Sequence, residues 1–384
     1  MHSEGLLLTG SINRRASQNI LAATPLLCHL NLHFMKYFLF ILGCQQNYAD
    51  AEKISAILHS LGYAESSEKD SDLIIIIACS VRQKAVDRIW GKISKDKKKT
   101  KKYILCGCVL EADKKKLSPK IDLVLDSKNI CDLPQYLKEI NLPSEQLFEV
   151  ERNPKNKIGY VSIGVGCNNF CSYCAVPHTR GREIYFNPDD IINETKHLVT
   201  KGCEEIMLLA QNVNSYKSID EKGMEVNFVD LLKKINSIEE NFNISFLSPH
   251  PKDTSDELID AIANLKKIKK EIHLPLQSGD DEILKKMNRH YTSEHFLNLI
   301  QKLRTKISNI HISTDIIVGF PSETDEQFSN TLNVCKIAEF NKVYVSQYSP
   351  RKGTTSEKLF IDDISRETKK TRWEAINNLI NKQK

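Results

Sequence analysis

From residue 37 onward the hydrophobic positions switch between two spacings. "YFLFILG" (37–43) is an unbroken apolar run that stops at Gly43-Cys44. The next stretch, "NYADAEKISAILHSLG" (47–62), places apolar residues at Ile54, Ile57, Leu58 and Leu61, a helical interval closed by Gly62 at the C-cap. "DLIIIIACS" (72–80) is apolar at nearly every position. A strand with one wet face would alternate, so this run predicts a parallel strand buried on both faces. A helix follows to about residue 93, then strands at "YILCGC" (103–108) and "IDLVLD" (121–126). This alternation predicts a βαβ domain over 35–143, a Rossmann-like parallel sheet.

Residues 144–157, "SEQLFEVERNPKNK", are polar, contain Pro154 and read as a linker. A second series then begins, with strands expected at 158–163, 204–210, 243–248, 270–276, 311–318 and 342–348 and helices between them. The helix opening at "NPDD" (187–190) has Pro188 in its first turn and ends at Gly202. Six strand–helix units over 158–366 predict a (βα)6 partial TIM barrel; a complete barrel needs eight. Residues 367–384 read as an exposed terminal helix. The fold class is therefore α/β, a sheet domain followed by a partial barrel.

Composition narrows the chemistry. The chain has 384 residues, 41% hydrophobic and 27% charged, enough for two or three domains with cores of their own. No apolar run approaches the roughly 20 residues of a membrane span, so no membrane partner is expected. The net charge of +5 permits an RNA partner. Eleven cysteines without a secretory signal fit thiols kept in a reducing compartment better than a disulfide scaffold. A cytoplasmic location is expected. Residues 1–34 carry Arg14 and Arg15, one acidic residue (Glu4) and no sustained period. They read as an atypical N-terminal extension, with Met35 a natural beginning.

The cysteines are not scattered. "GCNNFCSYC" (166–174) sets Cys167, Cys171 and Cys174 at C-x3-C-x2-C, on the loop after the first strand of the second series. That is the end of a barrel where barrel enzymes carry their chemistry. Three thiolates can hold a cubic iron–sulfur cluster and leave one iron open. A Cys3His zinc site with His178 is the competing reading, and a chance group of buried cysteines the third.

A second trio lies in the first series: Cys44 in "GCQQN", Cys79 in "ACSVR" and Cys108 in "CGCVL", each just past the end of a predicted parallel strand. Neighbouring strands are about 4.8 Å apart, so the three would converge at the crevice where open sheets bind ligands. Cys106, two residues from Cys108, is a rival on the same face. Ordinary buried cysteine remains the plain alternative for each.

The C-x3-C-x2-C loop with Tyr173 before its last cysteine resembles the radical S-adenosylmethionine superfamily, and two trios in one chain resemble its methylthiotransferases. The likeness runs from residue 36 to about 360, through "VPHTRGRE" (176–183), "LLAQNVNSY" (208–216), "HLPLQSGDDEILKKMNRHY" (273–291), "STDIIVGFPSET" (313–324) and "YSPRKGT" (348–354). It implies an enzyme with two 4Fe-4S clusters and S-adenosyl-L-methionine. The cluster at Cys167, Cys171 and Cys174 would generate a 5'-deoxyadenosyl radical. The cluster at Cys44, Cys79 and Cys108 would supply sulfur, and a second S-adenosylmethionine the methyl group. Tyr173, Gln211, Asn212, Gly319, Phe320 and Pro321 would line the S-adenosylmethionine pocket. Arg180 and Arg182 could meet a phosphate or a carboxylate.

"CSVRQKA" (79–85) and "QNVNSY" (211–216) are similar to the branch that methylthiolates N6-isopentenyladenosine beside the tRNA anticodon. Branches acting on threonylcarbamoyladenosine in tRNA or on a ribosomal-protein aspartate are the alternatives, and a zinc-dependent RNA-binding protein is the reading from another class. The likeness implies the tRNA anticodon loop as partner, an electron donor such as a flavodoxin or ferredoxin, and a monomer. The seven lysines of "KISKDKKKTKK" (92–102) are either phosphate contacts or a solvated helix end. One departure stands out: the C-terminal β-barrel RNA-binding domain usual in the family is not evident before Lys384.

Overall fold

The two alternating series fold into parallel sheets. A computed structural model describes residues 35–79, 83–94, 100–142 and 157–381. The extension 1–34, nearly all of the linker 144–157, the middle of the lysine tract (95–99) and Ser80–Arg82 lie outside the described residues.

The first series runs β1 (Lys36–Leu42), α1 (Gln45–Ser60), β2 (Ala64–Glu65), β3 (Leu73–Cys79), α2 (Gln83–Ile93), β4 (Lys102–Cys108), α3 (Glu111–Leu117), β5 (Leu123–Leu125) and α4 (Leu133–Glu139). Its strands are all parallel, in the order β2-β1-β3-β4-β5. The unbroken apolar run of β3 follows from its central place. Leu73, Ile75 and Ile77 pack with Ile54 and Leu58 of α1 and Leu133 and Leu137 of α4, whereas Ile74, Ile76 and Ala78 pack with Ile89 and Ile93 of α2. Each buried isoleucine contributes about 1.5–3 kcal/mol relative to exposure.

The second series opens with β6 (Ile158–Ser162), β7 (Gly164–Val165), α5 (Val176–Thr179), β8 (Ile184–Tyr185), α6 (Pro188–Thr200), β9 (Glu205–Leu209), β10 (Lys217–Ile219), β11 (Glu225–Asn227), α7 (Phe228–Asn236) and β12 (Asn243–Phe246). It continues with α8 (Asp256–Asn264), β13 (Glu271–His273), α9 (Asp281–Lys286), α10 (Ser293–Lys306), β14 (His311–Val318), α11 (Asp325–Ala338), β15 (Lys342–Gln347), α12 (Thr355–Leu359) and α13 (Arg366–Ile376). The six long-range parallel strands form β12-β9-β6 and β13-β14-β15. A parallel bridge from Ile244 to Ile268 joins the halves, Ile244 N donating to Lys267 O at 2.7 Å. β6 and β15 are the open edges, and one apolar core runs between these strands and α6, α7, α8, α10 and α11. The arrangement is consistent with a partial TIM barrel.

The terminal helix departs from expectation. α13 is exposed on one face only: Ile376 is fully buried, and Trp373 Nε1 donates to Val345 O at 3.0 Å. Arg372 reaches Glu323 Oε2 at 2.8 Å and Asp325 Oδ1 at 2.7 Å. The segment is polar by composition, yet Lys369 and Arg372 bury their stems while the heads pair with carboxylates. The short pairs β7–β8 and β10–β11, both antiparallel, have no counterpart in the expected strand set.

Candidate functional site

Register brings the first trio together. Cys79 and Cys108 end β3 and β4 and are direct neighbours in the ladder. Leu42 pairs with Ala78 one step earlier, so Cys44 follows at the start of α1 beside them. Asn47, fully buried, fixes that start. Its Oδ1 accepts from Cys44 N at 3.2 Å and its Nδ2 donates to Ala78 O at 3.2 Å, tying α1 to the end of β3. Gly107 lets β4 come close enough: at φ +102° a Cβ there would stand 2.3 Å from Ala78 O and 2.9 Å from Asn47 Nδ2. Gly43 is crowded by a side chain instead, its Cβ position lying 2.1 Å from Asn47 Oδ1.

The second trio sits on the loop between β7 and α5. Cys167 N donates to Gly181 O at 3.1 Å, and Cys174 N to Cys171 O at 2.9 Å. Gly166 adopts φ +85° where a Cβ would strike Arg182 O at 2.0 Å. The segment after α9 clamps the loop from the other side. Ser172 N donates to Met287 O at 3.0 Å, and Asn288 Nδ2 to Phe170 O at 3.0 Å.

The buried thiols of each set are raised, with neighbouring thiols of the same set adding to the rise. Burial pushes Cys108 up to about 12, Arg180 opposing and Cys79 and Cys44 adding to the rise. Burial likewise lifts Cys167 to about 11, and raises Cys174 well above the ordinary thiol range with Cys171 and Cys167 contributing. Cys108, Cys167 and Cys174 are therefore neutral thiols at pH 7 until a metal displaces their protons.

Three thiols in each set supply the donor chemistry of a cubic cluster. The sulfurs around such a cluster bind different irons and stand farther apart than around a single ion. Among the described residues, no group of three or more His, Cys, Asp or Glu side chains is placed to hold one metal ion. His178 is exposed on α5, which leaves the Cys3His zinc reading without its fourth ligand. Cys106, the rival to Cys108, is buried within the α1 core beside Leu58 and Ile77.

Two buried arginines reach the sulfurs, a feature the cysteine spacing does not announce. Arg180, 1% exposed, donates from Nε to Cys108 Sγ at 2.6 Å and from Nη2 to Asp50 Oδ2 at 2.7 Å. It meets a carboxylate, as its sequence position suggested, and a thiol besides. Arg289 donates from Nη1 to Cys171 Sγ at 3.2 Å, from Nε to Tyr291 Oη at 3.0 Å and from Nη2 to Pro275 O at 3.0 Å. Arg182 instead stacks on the half-exposed ring of Phe170, 4.3 Å from its centroid.

The expected pocket residues divide. Tyr173 follows Ser172 in the loop and packs with Ile283, Met287, Ile317 and Phe320. Phe320 is fully buried against Tyr348 and Phe360, which makes it a wall behind Tyr173 and not an open contact. Gly319, at φ +69°, donates from its N–H to Glu323 Oε2 at 2.7 Å, and Pro321 is buried in the same turn. Gln211 Oε1 accepts from Gly166 N at 2.5 Å and so braces the cysteine loop. Asn212 donates from Nδ2 to Asp253 Oδ2 at 3.2 Å and to Ser215, while its buried Oδ1 has no partner.

Family comparison agrees with this geometry. Residues 161–335 match the Radical SAM superfamily and residues 36–126 the Uncharacterized protein family UPF0004. A tRNA-2-methylthio-N(6)-dimethylallyladenosine synthase of Clostridium novyi (strain NT) is 38% identical over 379 residues, 91% of this chain and 83% of that protein. The chain belongs to this family of radical SAM methylthiotransferases. A synthase of the same name from Lachnoclostridium phytofermentans is 41% identical over 85% of this chain and 76% of its own. The one from Caldicellulosiruptor saccharolyticus is 41% identical over 90% and 77%. Among solved structures, the radical S-adenosylmethionine methyltransferase TsrM from Kitasatospora setae shares the fold, with a TM-score of 0.61 at 13% identity, over 84% of this chain and 77% of that one. Radical SAM methylthiotransferases use S-adenosylmethionine and 4Fe-4S clusters, and the two thiol trios are the candidate ligands here. No helix among the described residues is long and apolar enough to cross a membrane.

Proposed function

We propose that the chain is a tRNA-modifying enzyme that places a methylthio group on carbon 2 of N6-isopentenyladenosine next to the anticodon. The observation carrying this reading is the convergence of two cysteine trios in a chain about 40% identical to synthases of that name. Cys167, Cys171 and Cys174 hold the cluster that binds S-adenosylmethionine; Cys44, Cys79 and Cys108 hold the auxiliary cluster. When bound, the clusters and S-adenosylmethionine supply the radical and sulfur chemistry that no side chain can perform on an aromatic C–H bond. The protein's part is to hold and orient. Tyr173, backed by Phe320, borders the cofactor. Gln211 keeps the cysteine loop in place through Gly166. Asn212 offers a buried acceptor, and the turn at Gly319–Pro321 shapes the wall.

In this reading residues 35–143 form the auxiliary-cluster domain, 144–157 the linker, 158–366 the radical SAM barrel and 367–384 its terminal helix. The enzyme works in the cytoplasm as a monomer, fed by a flavodoxin or ferredoxin.

Two measurements test it. Anaerobic reconstitution should load about eight irons per chain with a visible-band chromophore, and Cys108→Ala should load about four, whereas Cys106→Ala keeps both clusters. Nucleosides from tRNA of a deletion strain should lack the methylthiolated adenosine, and the intact gene should restore it. Unchanged tRNA in that strain excludes the proposed substrate.

A further inference from the structure

Arg180 is the bulkiest fully buried side chain among the described residues. It leaves the loop of one trio and ends against a sulfur of the other. Asp50 of α1 neutralises it, and the polar chain continues. Gln46 Nε2 donates to Asp50 Oδ1 at 3.3 Å and to Ser162 Oγ at 3.0 Å, at the end of β6. Asp50, Gln46 and Ser162 are all buried. The line Cys108–Arg180–Asp50–Gln46–Ser162 therefore passes from the first sheet to the cysteine loop, back to α1, and on to the first barrel strand.

A buried guanidinium serving only as a structural ion pair would turn its planar fork onto both carboxylate oxygens, the favoured bidentate geometry. Here Asp50 takes one nitrogen, and Nε points to sulfur. A neutral thiol is a weak acceptor and a thiolate a strong one. The contact is thus stronger to a metal-bound Cys108 sulfur than to a protonated one. Hydrogen bonds and charge directed at ligand sulfurs favour the reduced cluster and raise its potential.

We infer that Arg180 is a positioning residue that orients Cys108 as a ligand and raises the reduction potential of the auxiliary cluster, with Asp50 setting how much of its charge the cluster feels. The inference rests on the proposed assignment of Cys44, Cys79 and Cys108 to a cluster. Arg289, on Cys171, is its counterpart at the other trio and gives an internal control.

The test uses the full chain, reconstituted anaerobically and followed by electron paramagnetic resonance during redox titration. The Cys167→Ala/Cys171→Ala/Cys174→Ala variant isolates the auxiliary signal. Arg180→Gln should shift that signal to more negative potential, or lose that cluster alone and so about half of the iron. The radical SAM cluster should keep its own potential. Arg289→Gln should move the radical SAM cluster and leave the auxiliary one. Arg180→Lys, which keeps the charge but not the fork, should fall between wild type and Arg180→Gln. Asp50→Asn should shift the auxiliary potential in the opposite direction, since the arginine charge is then uncompensated. An unchanged auxiliary potential in Arg180→Gln overturns the inference. If Arg180→Gln loses both clusters together, Asp50→Asn decides, and a shift that is absent or negative overturns it. Wild-type protein that fails to take up about eight irons removes the two-cluster reading itself, a result independent of the arginine variants.

Discussion

His250 shows how far a single residue can depart from its ordinary chemistry. It is buried in the loop after β12, where it caps the turn Pro251–Asp253; its Nδ1 accepts from Lys252 N at 3.2 Å, and its ring meets Tyr291 edge-on at 5.7 Å. Its Nε2 is buried without a partner. Burial, followed by the charges of Arg289, Lys252 and His290, holds its pKa down from 6.5 to about 2. A histidine kept neutral by the fold contributes no penalty above its unfolded pKa. Below it the unfolded chain binds a proton that the folded chain refuses, so stability falls with pH. The slope is about 1.4 kcal/mol per unit from pH 6.5 downward. Between pH 7.5 and 5.5 this residue should therefore remove about 1.4 kcal/mol, read by urea unfolding of the apo chain. His250→Asn should show a correspondingly flatter pH dependence, and equal slopes in the two proteins would contradict the assignment.

At the scale of elements, strand ends decide where chemistry falls. Cys79 and Cys108 reach the same level only because β4 can approach β3 at Gly107. Gly107→Ala forces a left-handed backbone on alanine, at about 1–3 kcal/mol, and drives its Cβ into Ala78 O. Its melting temperature should drop, and iron loading should fall by about half while the Cys167, Cys171 and Cys174 cluster persists. Full loading would mean that β4 can relax without moving Cys108. The long strands were legible beforehand because parallel strands buried on both faces are apolar without interruption, as β3 is. β2, β7, β8, β10 and β11, of two or three residues, are too short to carry a period. The burial of α13 was illegible for another reason: its buried positions include Lys369, paired with Asp362 just upstream, and Arg372, whose partners Glu323 and Asp325 lie far away in sequence. The cysteines stood out because thiol spacing is itself chemistry. The sulfur contacts of Arg180 and Arg289 did not, since the partners are 72 and 118 residues away.

For the molecule as a whole, the open barrel poses a question that the first sheet answers. β6 and β15 are its unpaired edges. Ion pairs with little exposure reach the sheet domain from the loop following each. Arg180, after β6, pairs with Asp50 of α1, and Arg351, after β15, donates from Nη2 to Asp113 Oδ2 of α3 at 3.0 Å. Asp113 lies five residues beyond Cys108, so the second tie also acts close to the auxiliary trio. The sheet is thereby held to both rims of the seam, and the two trios keep the defined relation that the proposed reaction requires. Arg351 and Asp113 should then be energetically coupled. In a double-mutant cycle, Asp113→Ala and Arg351→Ala should each destabilise the chain, and the pair should show a coupling of about 0.5–3 kcal/mol. Hydrogen exchange should rise in both α3 and the 348–354 loop when either partner is removed. Purely additive losses would mean that the contact does not hold the rim.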